Sequence, residues 1–161
     1  MLEEPRMQLM ELAPEAFRHM IAVERLIGEK VDPTLLHLIK MRASQVNGCA
    51  LCLTIHTGEA LAGNERPERL TCLDAWRESP LYTDAERAAL AWAEEITLIR
   101  EHGASREAYE GLKAHFSETE IAWLTLAATS MNGMNRVAIS SRSRYERAAA
   151  EEVKKMLATA G

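Results

Sequence analysis

The sequence is poor in several things at once. Of its 161 residues only 5% are aromatic, three are cysteine, and none beyond residue 80 is proline. No alternating Val/Ile/Thr run followed by a hairpin turn occurs, which argues against a β-sheet protein. Basic charge is not in excess: 19 Lys and Arg stand against 24 Asp and Glu, a net charge of −5. A protein that tracks a phosphate backbone normally shows the opposite balance, so nucleic acid is not an expected partner. No apolar run is long enough to cross a bilayer; the best stretch, Ile121 to Met134, is broken by Thr125, Thr129, Ser130, Asn132 and Gly133. The start, Met1-Leu2-Glu3-Glu4-Pro5, lacks the basic-then-apolar order of a secretory signal. Three cysteines are an odd number and too few for a disulfide scaffold. The expectation is a soluble, cytoplasmic protein of a reducing compartment, where a close cysteine pair suggests redox chemistry or metal.

What is present is helical punctuation. The composition, 47% hydrophobic and 27% charged, is that of an ordinary globular chain. Its length suits one domain spanning 1–161, with a core over about 10–142 and a charged helical tail over about 143–161. Pro14 belongs in a first turn, and Phe17, Met20, Ile21, Leu26 and Ile27 follow as a stripe that Gly28 stops. Asp32-Pro33 caps and opens a second helix that closes near Asn47-Gly48. A third starts at Cys49 and runs to about Ala62-Gly63, and Pro67 opens a short one stopped at Ser79-Pro80. Thr83-x-x-Glu86 and Ser117-x-x-Glu120 are capping boxes before long apolar stripes, and Ser105 caps a short helix between them. The last helix is expected to kink at Asn132-Gly133 and continue into the tail. The expected fold is an all-α, single-domain bundle of six to eight helices.

One constellation carries chemistry. Cys49-Ala50-Leu51-Cys52-Leu53-Thr54-Ile55-His56 puts two thiols and an imidazole on the first two turns of one helix. Residues three and four apart share a helix face, so Cys49 faces Cys52, and Cys52 faces His56. Cβ atoms about 5–6 Å apart need a modest tightening of that turn before a disulfide can close. Unpaired N–H groups and the positive end of the helix favour a thiolate there. A free thiol with a pKa of about 8.5 is roughly 3% ionised at pH 7, and a value of about 6.5 makes it roughly 76%. That shift is about 2.7 kcal/mol, more than a helix end supplies, and His56 is the neighbouring group that could add the rest. The shared face with His56 points to Cys52 as the attacking thiol; the helix dipole points to Cys49. The same residues, with His37 as a fourth ligand, would also make a tetrahedral zinc site.

The stretch Leu35-Leu36-His37-Leu38-Ile39-Lys40-Met41-Arg42-Ala43-Ser44-Gln45-Val46-Asn47-Gly48-Cys49-Ala50-Leu51-Cys52, with His56, resembles the core of the alkylhydroperoxidase D-like proteins of the carboxymuconolactone decarboxylase superfamily. The likeness continues through Asp74–Pro80, Glu86–Trp92 and Met131–Arg136. It implies an all-helical homo-oligomer, trimeric or hexameric, and a thiol-dependent peroxidase that reduces hydrogen peroxide or organic hydroperoxides. In that reading Cys49 and Cys52 cycle between dithiol and disulfide and an external dithiol or protein reductant reopens the bond. His56 belongs to the proton relay. No metal and no bound organic cofactor is implied. The family's relay has a glutamate twelve residues before the first cysteine, where this sequence has His37; the catalytic set read here is therefore Cys49, Cys52, His56 and His37. Three other readings stand beside it: a zinc-binding Cys/His module, a lyase of the decarboxylase branch, which does not depend on a vicinal cysteine pair, and a catalytically silent oligomer with a redox-sensing disulfide.

Cys72 lies in an apolar stripe and reads as a buried structural thiol, and Trp76, Trp92 and Trp123 as core or interface anchors. Asn132, Asn135 and Arg136 interrupt an otherwise apolar helix and must find polar partners, either at a subunit contact or near the active site.

Overall fold

The computed structural model describes residues 4–143. Among them are nine α-helices and no strand: α1 (Leu9–Leu12), α2 (Pro14–Gly28), α3 (Pro33–Asn47), α4 (Ala50–Ala62), α5 (Pro67–Thr71), α6 (Asp84–Thr97), α7 (Ile99–His102), α8 (Arg106–Lys113) and α9 (Glu118–Ser141). A 3₁₀ turn over Cys72–Ala75 extends α5. The all-α expectation holds. The count exceeds six to eight because α1 and α7 are four-residue turns whose apolar pattern is too short to read as a helix.

The local signals act as their chemistry demands. Asp32 accepts the Leu35 N–H at 3.0 Å and Pro33 occupies the first turn of α3. Thr83 with Glu86, and Ser117 with Glu120, close reciprocal capping boxes on α6 and α9. Helix α3 packs on α4, α6 and α9 and is the hub of the bundle. One side of it joins Ile27, Leu36, Ile39, Trp92, Leu112, Leu124 and Ala128 in an apolar core; the other joins Leu38, Met41, Leu70, Leu73, Trp76 and Leu90. Burying such side chains is worth roughly 1.5–3 kcal/mol each.

The expected kink at Asn132-Gly133 is a correction. Helix α9 runs unbroken from Glu118 to Ser141 and ends where Arg142 turns left-handed, φ 51°. Glycine alone costs helix stability without breaking the ladder. Asn132 Nδ2 donates to the Ala128 carbonyl at 2.8 Å, so its side chain stays within the helix's own bonding. The charged tail expected over about 143–161 lies, from residue 144 on, outside the described residues. No helix among them is long and apolar enough to cross a membrane.

Candidate active site

The site begins where α3 stops. Gly48 takes the left-handed conformation, φ 69°, that lets its own N–H and that of Cys49 turn back to the Gln45 and Ser44 carbonyls. The chain then enters α4 with no linker. Cys49 is not in the helix but at its N-cap, in extended backbone, φ −88° and ψ 93°. That geometry swings its side chain over the open first turn. Its sulfur accepts the Cys52 N–H at 3.4 Å and lies 2.6 Å from the Cys52 sulfur. Both side chains are buried, at 1% and 5% exposure.

The two thiols are thereby made unequal. A hydrogen bond from the Cys52 thiol draws the Cys49 thiol down, burial opposes it, and the Cys52 and Leu51 N–H groups and the Asn135 amide add to the lowering, leaving a pKa of about 7. The Cys52 thiol is pushed far up by giving that hydrogen bond and by burial, with a smaller push from the charge of Glu24. Sequence spacing alone points to Cys52 as the nucleophile, through the face it shares with His56. The structure makes Cys49 the thiol that ionises, because a cap residue lies ahead of the helix and receives its N–H groups.

His56 is buried and turned elsewhere. Its Nδ1 pairs with Glu59 Oε2 at 2.8 Å, one turn further along α4. Among the described residues, neither sulfur hydrogen-bonds His56. Burial pushes the Glu59 carboxyl up, but the His56 hydrogen bond and the charges of His56 and Lys40 hold it below the usual range. His37, half-buried on α3, faces the same carboxylate; burial lowers its pKa, and Glu59 offsets that only in part. His37 is therefore a neutral imidazole near pH 7. A buried ion pair completes the surroundings: Lys40 Nζ lies 2.6 Å from Glu24 Oε2 of α2.

Asn135, fully buried on α9, fixes the thiols from the opposite side. Its Nδ2 donates to Ser44 Oγ at 3.0 Å, its Oδ1 accepts from Asn47 Nδ2 at 2.9 Å, and its side chain hydrogen-bonds both cysteines. Asn132 receives the other Asn47 bond at 2.8 Å. These asparagines thus clamp the end of α3 that presents Cys49.

The structure brings Cys49 and Cys52 together and sets His56 and His37 around Glu59, but it gathers no set of three Cys, His, Asp or Glu side chains arranged to hold a metal among the described residues. Glu24, Lys40 and Glu59 were not singled out from sequence. Glu59 was legible as the residue three past His56. Glu24 leaves a weaker trace, since it sits on the buried stripe Phe17, Ile21, Glu24, Ile27 where an apolar side chain is expected. Cys72 is partly exposed rather than buried as expected, and it takes no part in the pair. A surface depression of about 330 Å³, lined by residues including Gly63, Asn64, Arg69 and Glu86, opens at the far end of α4 rather than over the thiols.

Residues 12–95 match the carboxymuconolactone decarboxylase family. This span contains every member of the site except Asn132 and Asn135. The chain is 36% identical over 140 residues to the uncharacterised protein YdfG of Bacillus subtilis, covering 86% of this chain and 95% of that one. Its fold is similar to the crystal structure of a protein of unknown function from Agrobacterium tumefaciens, for which a role as the antioxidant defence protein AhpD has been suggested. That similarity has a TM-score of 0.86 at 38% identity and covers 89% of this chain and 99% of that one. The debrominase Bmp8, solved with 2,3,4-tribromopyrrole, shares the fold at a TM-score of 0.74 and 19% identity, over 92% of this chain and 79% of its own. The helical architecture, the paired thiols and these likenesses agree: the chain belongs to the carboxymuconolactone decarboxylase family and is an AhpD-like member of it.

Proposed function

We propose that the chain is a thiol-dependent peroxidase that reduces hydrogen peroxide or small organic hydroperoxides through a Cys49–Cys52 dithiol/disulfide cycle. The observation that carries this reading is the pair itself: two sulfurs 2.6 Å apart at a helix start, one thiol ionising at about 7 and the other held protonated. The suggested antioxidant role of the Agrobacterium relative supports it. Burial of both sulfurs selects small oxidants.

In the first step the Cys49 thiolate attacks the distal oxygen of ROOH. The O–O bond breaks, Cys49 becomes a sulfenic acid, and the alkoxide takes a proton and leaves as ROH. His56, held by Glu59, and His37 beyond it form the proton relay for that leaving group. In the second step the Cys52 thiol displaces the sulfenic oxygen as water and the disulfide forms. An external dithiol or protein reductant then returns two electrons by thiol–disulfide exchange. The cysteines supply the electrons, so the cycle needs no bound cofactor, and a reducing compartment such as the cytoplasm keeps it running. The proposal includes a homo-oligomer, trimeric or hexameric. Val23 and Leu26 of α2 and Leu126 and Ile139 of α9, each nearly half exposed, are apolar side chains such an assembly would cover.

The test is steady-state consumption of hydrogen peroxide and of a small alkyl hydroperoxide with a dithiol as reductant. Turnover by the parental protein, falling to the uncatalysed rate in Cys49→Ser, is the expected result. Consumption no faster than the dithiol alone, or an undiminished Cys49→Ser variant, would contradict the proposal.

A further inference from the structure

The side-chain amides of Asn132, Asn47 and Asn135 form one chain that ends at the thiols. Asn132, buried on α9, gives its Nδ2 to the Ala128 carbonyl at 2.8 Å and to Thr97 Oγ1 at 3.0 Å. Its Oδ1 accepts from Arg136 Nη1 at 3.0 Å and from Asn47 Nδ2 at 2.8 Å. Asn47, the last residue of α3, gives its other Nδ2 hydrogen to Asn135 Oδ1 at 2.9 Å. Asn135 in turn gives Nδ2 to Ser44 Oγ at 3.0 Å, and the Ser44 carbonyl accepts the Cys49 N–H at 3.0 Å. Helix α9 packs on both α3 and α4, and the Asn135 side chain hydrogen-bonds both cysteines.

The direction of that chain is set at its far end. An amide carries an acceptor on one side and two donors on the other, so its neighbours decide which way it faces. The Ala128 carbonyl can only accept. Thr97 commits its hydroxyl hydrogen to the Ala93 carbonyl at 2.6 Å, so toward Asn132 it accepts as well. Arg136 can only donate. Asn132 is therefore held with its nitrogen toward Ala128 and Thr97 and its oxygen toward Arg136 and Asn47. That oxygen requires an N–H from Asn47, whose second hydrogen requires the oxygen of Asn135. What remains of Asn135 is its nitrogen, with one hydrogen for Ser44 and one for the sulfurs. Reversed, Asn135 would set a carbonyl oxygen against a thiolate, a repulsive contact in a buried site.

We propose that Asn132 is a positioning residue for the cysteine pair: through Asn47 it holds Asn135 with an N–H, rather than its amide oxygen, toward the sulfurs. This deepens the peroxidase reading and rests on it for the use made of the thiolate. Thr97 and Arg136 anchor the chain, and the Asn135 N–H is the end that meets charge. The ionisable groups around the pair are held by other partners. Glu24 of α2 is tied to Lys40 of α3 at 2.6 Å, and Glu59 of α4 to His56 at 2.8 Å, with His37 of α3 facing the same carboxylate. Replacing an asparagine leaves all of these in place, so a change in the titration of Cys49 reports the amides.

The test is the pH dependence of Cys49 alkylation by iodoacetamide, read by peptide mapping, with urea unfolding of each variant as the control for folding. Asn132→Leu, close in size but with neither donor nor acceptor, is expected to raise the midpoint of about 7 by about half a pH unit. Asn135→Ala is expected to raise it further. The double variant Asn132→Leu/Asn135→Ala should match Asn135→Ala alone, because the first residue acts through the second. A measurement on the parental protein stands beside these in case a variant does not fold. One of the two Asn135 amide hydrogens, followed by proton–nitrogen NMR, is expected to shift with the same midpoint as Cys49 ionisation. An unmoved midpoint in folded Asn132→Leu, shifts that add in the double variant, or Asn135 amide hydrogens indifferent to Cys49 ionisation would overturn the assignment. None of these readouts uses peroxide. A protein that meets them yet consumes no hydroperoxide would sink the peroxidase reading and leave the amide chain standing.

Discussion

Two buried charged clusters flank α3, and they are built on opposite principles. Glu94 of α6 is 5% exposed and fully occupied: Arg42 Nε at 2.6 Å and Trp76 Nε1 at 2.8 Å meet Oε1, and Arg77 meets Oε2 at 2.6 Å. Arg42 continues to Gln45 and Asp74, and Arg77 lies over the Trp76 ring. Burial pushes the Glu94 carboxyl up, and these three donors outweigh it and hold it low. Nothing in that network is left to react. The cluster of Glu24, Lys40, His37, His56, Glu59 and the two thiols keeps an idle carboxylate oxygen, a depressed thiol and a raised one side by side. Saturated polar groups fix helices in place; unsaturated ones hold the capacity to move protons.

That contrast can be broken at several points. The largest effect is expected from Cys52→Ser, which should stop the cycle at the Cys49 sulfenic acid and lower turnover by about 10³-fold, equivalent to roughly 4 kcal/mol. Steady-state peroxide assays with a sulfenic-acid trap would check it. On the other side of α3, Glu94→Gln should cost about 3 kcal/mol in urea unfolding, since it strands the buried Arg42 guanidinium. It should leave the rate of Cys49 alkylation unchanged; a matching drop in thiol reactivity would show that the two clusters are not independent.

Acid titration separates the clusters further. Glu94 and Glu59 both have folded-state values below the unfolded one, so their stabilisation is complete above the ordinary carboxylate range and is lost as pH falls through the lowered folded values. Glu94→Gln and Glu59→Gln should each flatten the acid limb of stability against pH. Iodoacetamide labelling of Cys49 should rise with pH through a midpoint of about 7, and Asn135→Ala should move that midpoint up by about one pH unit, the worth of one hydrogen bond. The smallest effect is that of Gly48→Ala, about 1 kcal/mol of stability for a side chain forced left-handed at φ 69°.

Legibility in the sequence followed the range of the interactions. Asp32-Pro33, Thr83 with Glu86 and Ser117 with Glu120 act within one turn, so the starts of α3, α6 and α9 could be read directly. The cysteine pair was legible for the same reason. Its asymmetry was not, because it turns on Cys49 standing one residue ahead of the helix rather than in its first turn. Glu24 and Lys40 are sixteen positions apart on different helices, and only the packing of α2 against the bundle joins them. Asn132 and Asn135 could be seen to need partners, but Asn47, Ser44 and the thiols are 83 or more residues away. The α9 kink failed because those tertiary bonds stabilise the helix at the point where local propensity weakens it.

The most direct test of the account is intact-mass analysis of the fully reduced protein before and after one equivalent of hydrogen peroxide, with peptide mapping. Loss of two hydrogens per chain, a new bond mapping to Cys49–Cys52, and full return of the original mass after a dithiol is added are expected. A chain whose mass does not change, or whose oxidation falls on Cys72 or on methionine while Cys49 and Cys52 stay reduced, would contradict it.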